Sequence, residues 1–588
     1  MTHLKLFCLT CSSFVLVLFS NLISEVQAAE HTNVILIMTD DQGGWDYGFM
    51  GNKILNTPNL DAMAASGARL DRFYVSPVCT PTRANLMTGR YNYRTRAIDT
   101  YIGRAMLEPE EVTIAEALSP AGYATGIFGK WHLGDSYPLR PQDQGFQEVL
   151  VHRGGGIGQP SDPPEGAGKY TDPVLFHNGE QKQMKGYCTD IYFDNAMKFI
   201  QKNESQEKPT FMYIATNAPH GPFHDVPEDL RKKYEAMDLN DAYGFDMSKK
   251  RKNKKQFDKT SRIFSMIENI DQNIGKLFQH LKKIGAYENT LVLFLNDNGP
   301  NGPRFVGSHR GTKGTVNEGG IRSVLLAHWP AQLKAGTVND RIAAHYDIFP
   351  TILAATGVQK PESLELDGVN VLPLLKNEAK NWPDRSLYLQ WHRGDQPTPH
   401  TNAAVVMQDY KMTFSKQGEP GKLFDLRNDP AERSDIASNK STLANELTKK
   451  YDAWFADVSS TRPENYAPPR IHIGNAKEPM TVLTRQDWRY AGHKGKGWTR
   501  DARGNWLVNV EQTGTYDIKV QFTKAREQSG TELTVKVGTD QVQAKVPADR
   551  SEYVFSDVTL HQGKQTIDVI VVEDNLTRGP MQVYLTKK

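Results

Sequence analysis

Residues 33–41 read NVILIMTDD, an unbroken apolar run that ends on a hydroxyl and two carboxylates. A strand with one wet face alternates apolar and polar residues; a run that is apolar throughout fits a strand covered on both faces, as in a mostly parallel sheet. The same cadence returns three times. ATGIF (124–128) runs into Gly129, Lys130, Trp131 and His132. FMYIA (211–215) runs into TNAPH, ending at His220. LVLFL (291–295) runs into Asn296, Asp297 and Asn298. Helical periodicity lies between them, clearest over 260–284, where Ile263, Ile267, Ile270, Ile274, Leu277, Phe278 and Leu281 recur at three- and four-residue spacing. Strands alternating with helices predict an α/β domain with a mixed, mostly parallel sheet flanked by helices.

Ligands of such sheets bind beyond the carboxyl ends of the strands, where these polar residues fall. Asp40, Asp41, Asp297 and Asn298 offer an all-oxygen set, which suits a hard divalent cation such as calcium or magnesium rather than zinc or copper. Each pair alone also fits a helix cap or a turn. Arg83, Lys130, His132, His220 and Lys313 add cations at neighbouring positions. A divalent ion with several basic side chains suits an anion with tetrahedral oxygens and the transfer of a phosphoryl or sulfuryl group.

The length, 588 residues, predicts two or three domains. Net charge is +2, which gives no global field for nucleic acid. Residues 1–28 have the layout of a secretory signal peptide, with a lysine, the apolar run FVLVLF and small residues before Ala28. The expectation is a periplasmic or extracellular protein with no stable membrane span. Cys8 and Cys11 would leave with the signal. Cys79 and Cys188 remain, too few for a disulfide scaffold in a chain this large, though one bridge between them stays open. Cys79 opens CTPTRANLMTGR (79–90), a hydroxyl-rich stretch unlike the surroundings of a structural thiol.

At these residues the chain resembles the sulfatase family of the alkaline-phosphatase-like superfamily. CTPTR (79–83) followed by TGR (88–90) matches the family's C-x-P-x-R signature. TDDQG (39–43), GKWHLG (129–134), APHGP (218–222), NDNG (296–299), GTKGTVNEGGIR (311–322) and LFDLRNDPAE (423–432) are similar to further family segments. The resemblance covers about 32–455.

It implies that a separate sulfatase-maturing enzyme, such as a formylglycine-generating enzyme, oxidises Cys79 to formylglycine. One hydroxyl of the aldehyde hydrate would attack sulfur, and the second would lose its proton as the carbonyl re-forms and sulfate leaves. Splitting one displacement into two easier steps is the advantage of covalent catalysis. The resemblance assigns Asp40, Asp41, Asp297 and Asn298, with the modified Cys79, to a metal ion, calcium or alternatively magnesium. It gives Arg83 to the aldehyde hydrate, and Lys130 and Lys313 to sulfate oxygens. His132 becomes the base that expels sulfate, and His220 acts with Lys313 on the leaving oxygen. The implied activity is hydrolysis of a sulfate monoester, with sulfated carbohydrate the expected natural substrate and aryl sulfates as artificial ones. Two other readings are a phosphonate monoester or phosphodiester hydrolase of the same superfamily and a carbohydrate-binding protein with a degenerate catalytic domain.

The expected organisation is a signal peptide (1–28), a catalytic α/β domain (29–380), a small α+β subdomain (381–460), a proline-rich linker (461–481) and an all-β sandwich (482–588). In the last, Trp506, Val508, Val510 and then Tyr516, Ile518, Val520 and Phe522 alternate with polar residues. The sandwich looks like the modules appended to carbohydrate-active enzymes. Trp488 and Trp498 would stack on sugars there, or else lie in the sandwich core or against the catalytic domain. Residues 154–187 read as a long loop over or beside the pocket, or else as a disordered surface excursion, with His152, Arg153, Tyr170 and His177 as further residues within reach of substrate. KKRKNKK (249–255) reads as a solvated basic face or as a grip on a sulfated polymer.

Overall fold

The computed structural model describes residues 32–243, 253–460, 466–490, 497–499, 501–522, 531–547, 550–573 and 576–588. The signal-peptide reading, and most of the basic run at 249–255, fall outside them; Lys254 and Lys255 are exposed at the start of a helix.

One large sheet organises the chain. Its strands are β1 (Asn33–Thr39), β2 (Ala68–Tyr74), β3 (Ala124–Lys130), β4 (Glu148–His152), β5 (Val174–His177), β6 (Glu180–Gln183), β7 (Thr210–Ala215), β8 (Thr290–Asn296), β9 (Arg322–His328), β10 (Thr337–Asn339) and β11 (Ala343–Ala344). They lie in the order β10-β2-β9-β8-β1-β7-β3-β4-β5-β6, with β11 beside β2. The centre is parallel: β1 pairs with both β7 and β8, and β3 with β7 and β4. The strand β9 and the hairpin β5–β6 run antiparallel. The mixed, mostly parallel sheet expected from the apolar runs is therefore present.

The four runs that signalled it, now β1, β3, β7 and β8, are buried along their whole length. Val34, Leu36 and Met38 point into the core on one face of the sheet; Ile35 and Ile37 point into the core on the other. The pleat makes this split, because successive side chains leave on opposite faces. Each such residue contributes about 1.5–3 kcal/mol by leaving water. Helix Asn253–Lys283 lays Met266, Ile270, Ile274, Leu277 and Leu281 on the second face. Helix Cys79–Thr88, buried throughout, supplies Ala84, Leu86 and Met87 to the first.

Register then sets the site. Thr39 of β1 stands opposite Asn296 of β8, so Asp40–Asp41 and Asp297–Asn298 leave adjacent parallel strands together.

Residues 174–183, read from sequence as loop, form the β5–β6 hairpin at the sheet edge. Beyond the large sheet, four antiparallel strands over 387–425 and helix Ser441–Ser459 make a small α+β unit. Two further sheets follow, with Trp506, Val508, Val510, Tyr516, Ile518 and Val520 turned into a shared core. The strand Ile471–Ile473 already belongs to one of these sheets, inside the stretch read as linker. Three residues are too short to show alternation. Met106 and Leu139 of the α/β part pack into the same core, so the sandwich is fused to it. Trp488 is fully buried there, 5.9 Å from Trp506 between ring centres, which settles it as a core residue. Among the described residues no helix is long and apolar enough to cross a membrane.

Candidate active site

The strand ends bring together what the sequence had separated. Ligand atoms of Asp40, Cys79 and Asp297 lie within 4.8 Å of one another, all buried. The Asp41 backbone N–H donates to Asp297 Oδ1 at 3.0 Å, and the Asn298 amide donates to Asp41 Oδ1 at 3.0 Å. That leaves Asn298 Oδ1 buried with no hydrogen-bond partner. Burial and the neighbouring Asp40 push Asp297 up to about 7, against Arg83 and Lys130. Asp41 goes the other way: burial opposes its charge, but Lys313 and His220 hold it below the usual carboxylate range. Crowded buried carboxylates with an orphaned amide oxygen beside them fit a hard divalent cation, which favours oxygen donors. Asp41 also holds its backbone at φ 65°, a left-handed conformation uncommon outside glycine that aspartate tolerates better than most.

Cys79 is the first residue of helix Cys79–Thr88, so it faces the pocket from a helix N-terminus, the end that favours negative charge. Its Sγ lies 3.3 Å from Asp40 Oδ1 and 3.2 Å from Lys313 Nζ. Burial and then Asp40 push the thiol up to about 12 despite Lys130 and Lys313. An unmodified thiol here stays protonated at neutral pH, and it is the thiolate that is nucleophilic. Cys188 is buried and free, so Cys79 and Cys188 form no bridge.

The basic groups ring this point. Lys130 Nζ sits 2.6 Å from Asp40 Oδ2, both fully buried. Arg83 reaches Asp297 Oδ2 at 3.1 Å and the Lys130 carbonyl at 3.0 Å. Lys313 pairs with Asp41. Burial works against the Lys313 charge, but the carboxylates of Asp41 and Asp40 outweigh it and keep the ammonium protonated.

The two histidines are neutral for a common reason. Burial, reinforced at His132 by Lys130, pulls His132 well below its ordinary value; burial takes His220 down to about 4, with Asp41 opposing. His132 Nε2 donates to the Thr100 carbonyl at 2.9 Å, and Nδ1 is left without a partner. An unprotonated, unpartnered ring nitrogen beside the pocket is a candidate proton acceptor. His220 Nδ1 donates to the Gly221 carbonyl at 2.7 Å, and its Nε2 lies 3.7 Å from Asp41 Oδ2. Two glycines make room for both rings. A Cβ on Gly155 would stand 2.8 Å from His132 Cε1, and one on Gly156 would stand 2.8 Å from His220 Cε1.

The pocket over Cys79 is a cavity of about 460 Å³. His132, His220, Lys313 and Gly155 line it, so the 154–187 segment does reach the site through its first residues. Tyr170 lies beneath, its hydroxyl donating to the His220 carbonyl at 2.7 Å. His152, Arg153 and His177 stand elsewhere: His152 against Asp162, His177 against Glu148, and Arg153 over the Phe176 ring. Sequence reasoning missed Asn301, whose amide donates to Asp41 Oδ2 at 2.8 Å, and the pocket residues Trp391 and Arg393. Asn301 follows NDNGP so closely that its position after β8 was a usable signal; Trp391 and Arg393 carried none.

Fold and site together define an α/β enzyme of the alkaline-phosphatase-like kind, with an oxyanion pocket at the strand ends. The sulfatase family model matches residues 32–358, and the model for the N-sulphoglucosamine sulphohydrolase C-terminal region matches 311–456. The chain belongs to the sulfatase family. It is 31% identical to human N-acetylgalactosamine-6-sulfatase over 421 residues, covering 66% of this chain and 72% of the relative. Human arylsulfatase A is 30% identical over 455 residues, covering 69% and 84%. The crystal structure of Ps i-CgsB in complex with k-i-k-neocarrahexaose superposes with a TM-score of 0.63 at 29% identity, covering 73% of this chain and 94% of that one. The enzyme is a sulfatase.

Proposed function

We propose that this sulfatase is exported and hydrolyses sulfate monoesters of carbohydrates, using a formylglycine at position 79 and a divalent cation, calcium in the first instance. The observation that carries this is the convergence of Asp40, Asp297 and Cys79 within 4.8 Å, with the Lys313 ammonium 3.2 Å from Sγ. Carbohydrate is supported by the relatives, one named as an N-acetylgalactosamine-6-sulfatase and one crystallised with a neocarrahexaose.

Asp40, Asp41, Asp297 and Asn298 would hold the cation, which would supply positive charge against a sulfate oxygen and position 79. Oxidation of Cys79 would supply a hydrate hydroxyl as nucleophile where the thiol cannot serve. Arg83, fixed by Asp297 and the Lys130 carbonyl, keeps the hydrate oriented. Lys130 and Lys313 receive sulfate oxygens and stabilise the charge that develops on them. His132 Nδ1 takes the proton released at position 79 when sulfate departs. His220 and Lys313, both set against Asp41, act together at the leaving oxygen, protonating or stabilising it.

The direct test is desulfation of defined sulfated oligosaccharides beside paired aryl sulfate and aryl phosphonate esters. Faster turnover of the sulfates, with at least one saccharide desulfated, is expected. A preference for phosphonate would overturn the sulfate-ester reading; aryl turnover with no saccharide desulfated would overturn the carbohydrate half. Export predicts a mature N-terminus just after Ala28 in protein from its host.

A further inference from the structure

Part of the pocket lining comes from residues that neither family model matches. Both end by residue 456, yet Gly497 and Trp498 line the cavity over Cys79. Trp498 is half-buried and firmly placed. Its indole N–H donates to the Arg485 carbonyl at 3.1 Å, and its ring meets Tyr101 edge-on at 5.4 Å between centres. The neighbouring Gly497 N–H donates to the Tyr490 hydroxyl at 2.6 Å. Gln486 ties the same segment to the catalytic part, its amide donating at 2.6 Å to the Thr100 carbonyl, the group that also receives the His132 N–H. Arg393 completes this side. Its guanidinium stacks on Tyr101 at 4.4 Å and on Trp391 at 5.1 Å and pairs with Asp99 at 2.6 Å, yet its side chain remains 47% exposed.

We propose that the C-terminal sandwich is part of the active site, and that Trp498, with Tyr101 and Arg393, forms the subsite for the sugar that carries the ester. The inference rests on the carbohydrate reading above. The chemistry is divided across the pocket. The sulfate end is a dense set of charges that recognises only oxygens. The Tyr101, Trp391, Arg393 and Trp498 part of the lining is aromatic with one accessible guanidinium, the pattern that holds an amphipathic ring by its apolar face and anchors an oxygen or an anionic substituent at its edge. A half-buried indole whose N–H is already satisfied within the protein offers its ring rather than a hydrogen bond. The sandwich therefore determines which sulfated sugar is accepted, while the sulfate end would treat all sulfate esters alike.

The test is the full-length enzyme with Trp498→Ala and, as the conservative control, Trp498→Phe. Two readouts are compared: kcat/KM on a panel containing 6-sulfated N-acetylhexosamine oligosaccharides and k-i-k-neocarrahexaose, and inhibition by inorganic sulfate, which fills only the sulfate end. Trp498→Ala should lose about tenfold or more in kcat/KM on the best saccharide, a loss the size of one aromatic contact. Trp498→Phe should retain most of it, and sulfate inhibition should stay within about twofold of wild type. An unchanged saccharide kcat/KM in Trp498→Ala would overturn the subsite alone. So would an equal weakening of sulfate inhibition, because Trp498 would then act by supporting the whole site. A wild-type enzyme that desulfates no saccharide overturns the substrate reading and the subsite with it.

Discussion

His132 donates from Nε2 to the Thr100 carbonyl at 2.9 Å, and its buried Nδ1 has no partner. That single bond fixes which nitrogen carries the proton, and so which can accept one. The ring itself is held against backbone, since Gly155 leaves no space for a Cβ.

Gly155→Ala should therefore damage catalysis without unfolding the protein. The added methyl would stand 2.8 Å from His132 Cε1 and must displace the ring. A misplacement of about 1 Å at a reacting group can cost on the order of 100-fold in rate. Steady-state kinetics should show kcat falling by about 10- to 100-fold with a melting temperature close to wild type. An unchanged kcat would show that the ring can move without consequence.

Removing divalent ions should abolish turnover and lower stability together. Without a cation, Asp40, Asp41 and Asp297 share a buried site with like charge. Calcium at about 100 times its Kd should stabilise the folded enzyme by about 2.7 kcal/mol. Thermal melts with chelator and then with calcium check this. Asp297→Asn should lose most of the calcium-dependent shift, and an equal shift in that variant would remove Asp297 from the ion site.

Acid sensitivity should have an identifiable component at His345. The ring is fully buried, 2.9 Å from the Asn85 amide and 3.1 Å from the Tyr74 carbonyl. Burial pulls it from 6.5 to about 3, with the Tyr74 carbonyl opposing. Between these values the unfolded chain binds a proton that the native state does not, so stability rises with pH across this window and is lost as pH falls below 6.5. The slope from one such group approaches about 1.4 kcal/mol per pH unit. Denaturant melts from pH 7 downward should be flatter for His345→Gln than for wild type, and identical slopes would contradict the assignment.

Much of this was legible in the sequence, and the reason is physical. NVILIM, ATGIF, FMYIA and LVLFL announce strands buried on both faces because a strand with one wet face would alternate apolar and polar residues. Their polar successors mark the site because parallel strands deliver such residues to one edge. Pairing of Thr39 with Asn296 then makes neighbours of carboxylates far apart in the chain. The β5–β6 hairpin was hidden because Glu180–Gln183 lies exposed at the sheet edge and needs no apolar pattern. Gly155 and Gly156 read only as loop, since a glycine's close approach to another residue is invisible without the partner. Trp391, Arg393 and Trp498 reach the pocket from separate segments of the chain, and no local spacing encodes that meeting.

The most direct measurement is the mass of the peptide containing residue 79, taken from enzyme purified from its own host and shown to be active. An aldehyde in place of the thiol is the predicted result, with turnover lost in Cys79→Ala and Cys79→Ser while both still fold. Full activity from a preparation whose residue 79 is an unmodified thiol, or from Cys79→Ala, would contradict the account at its centre.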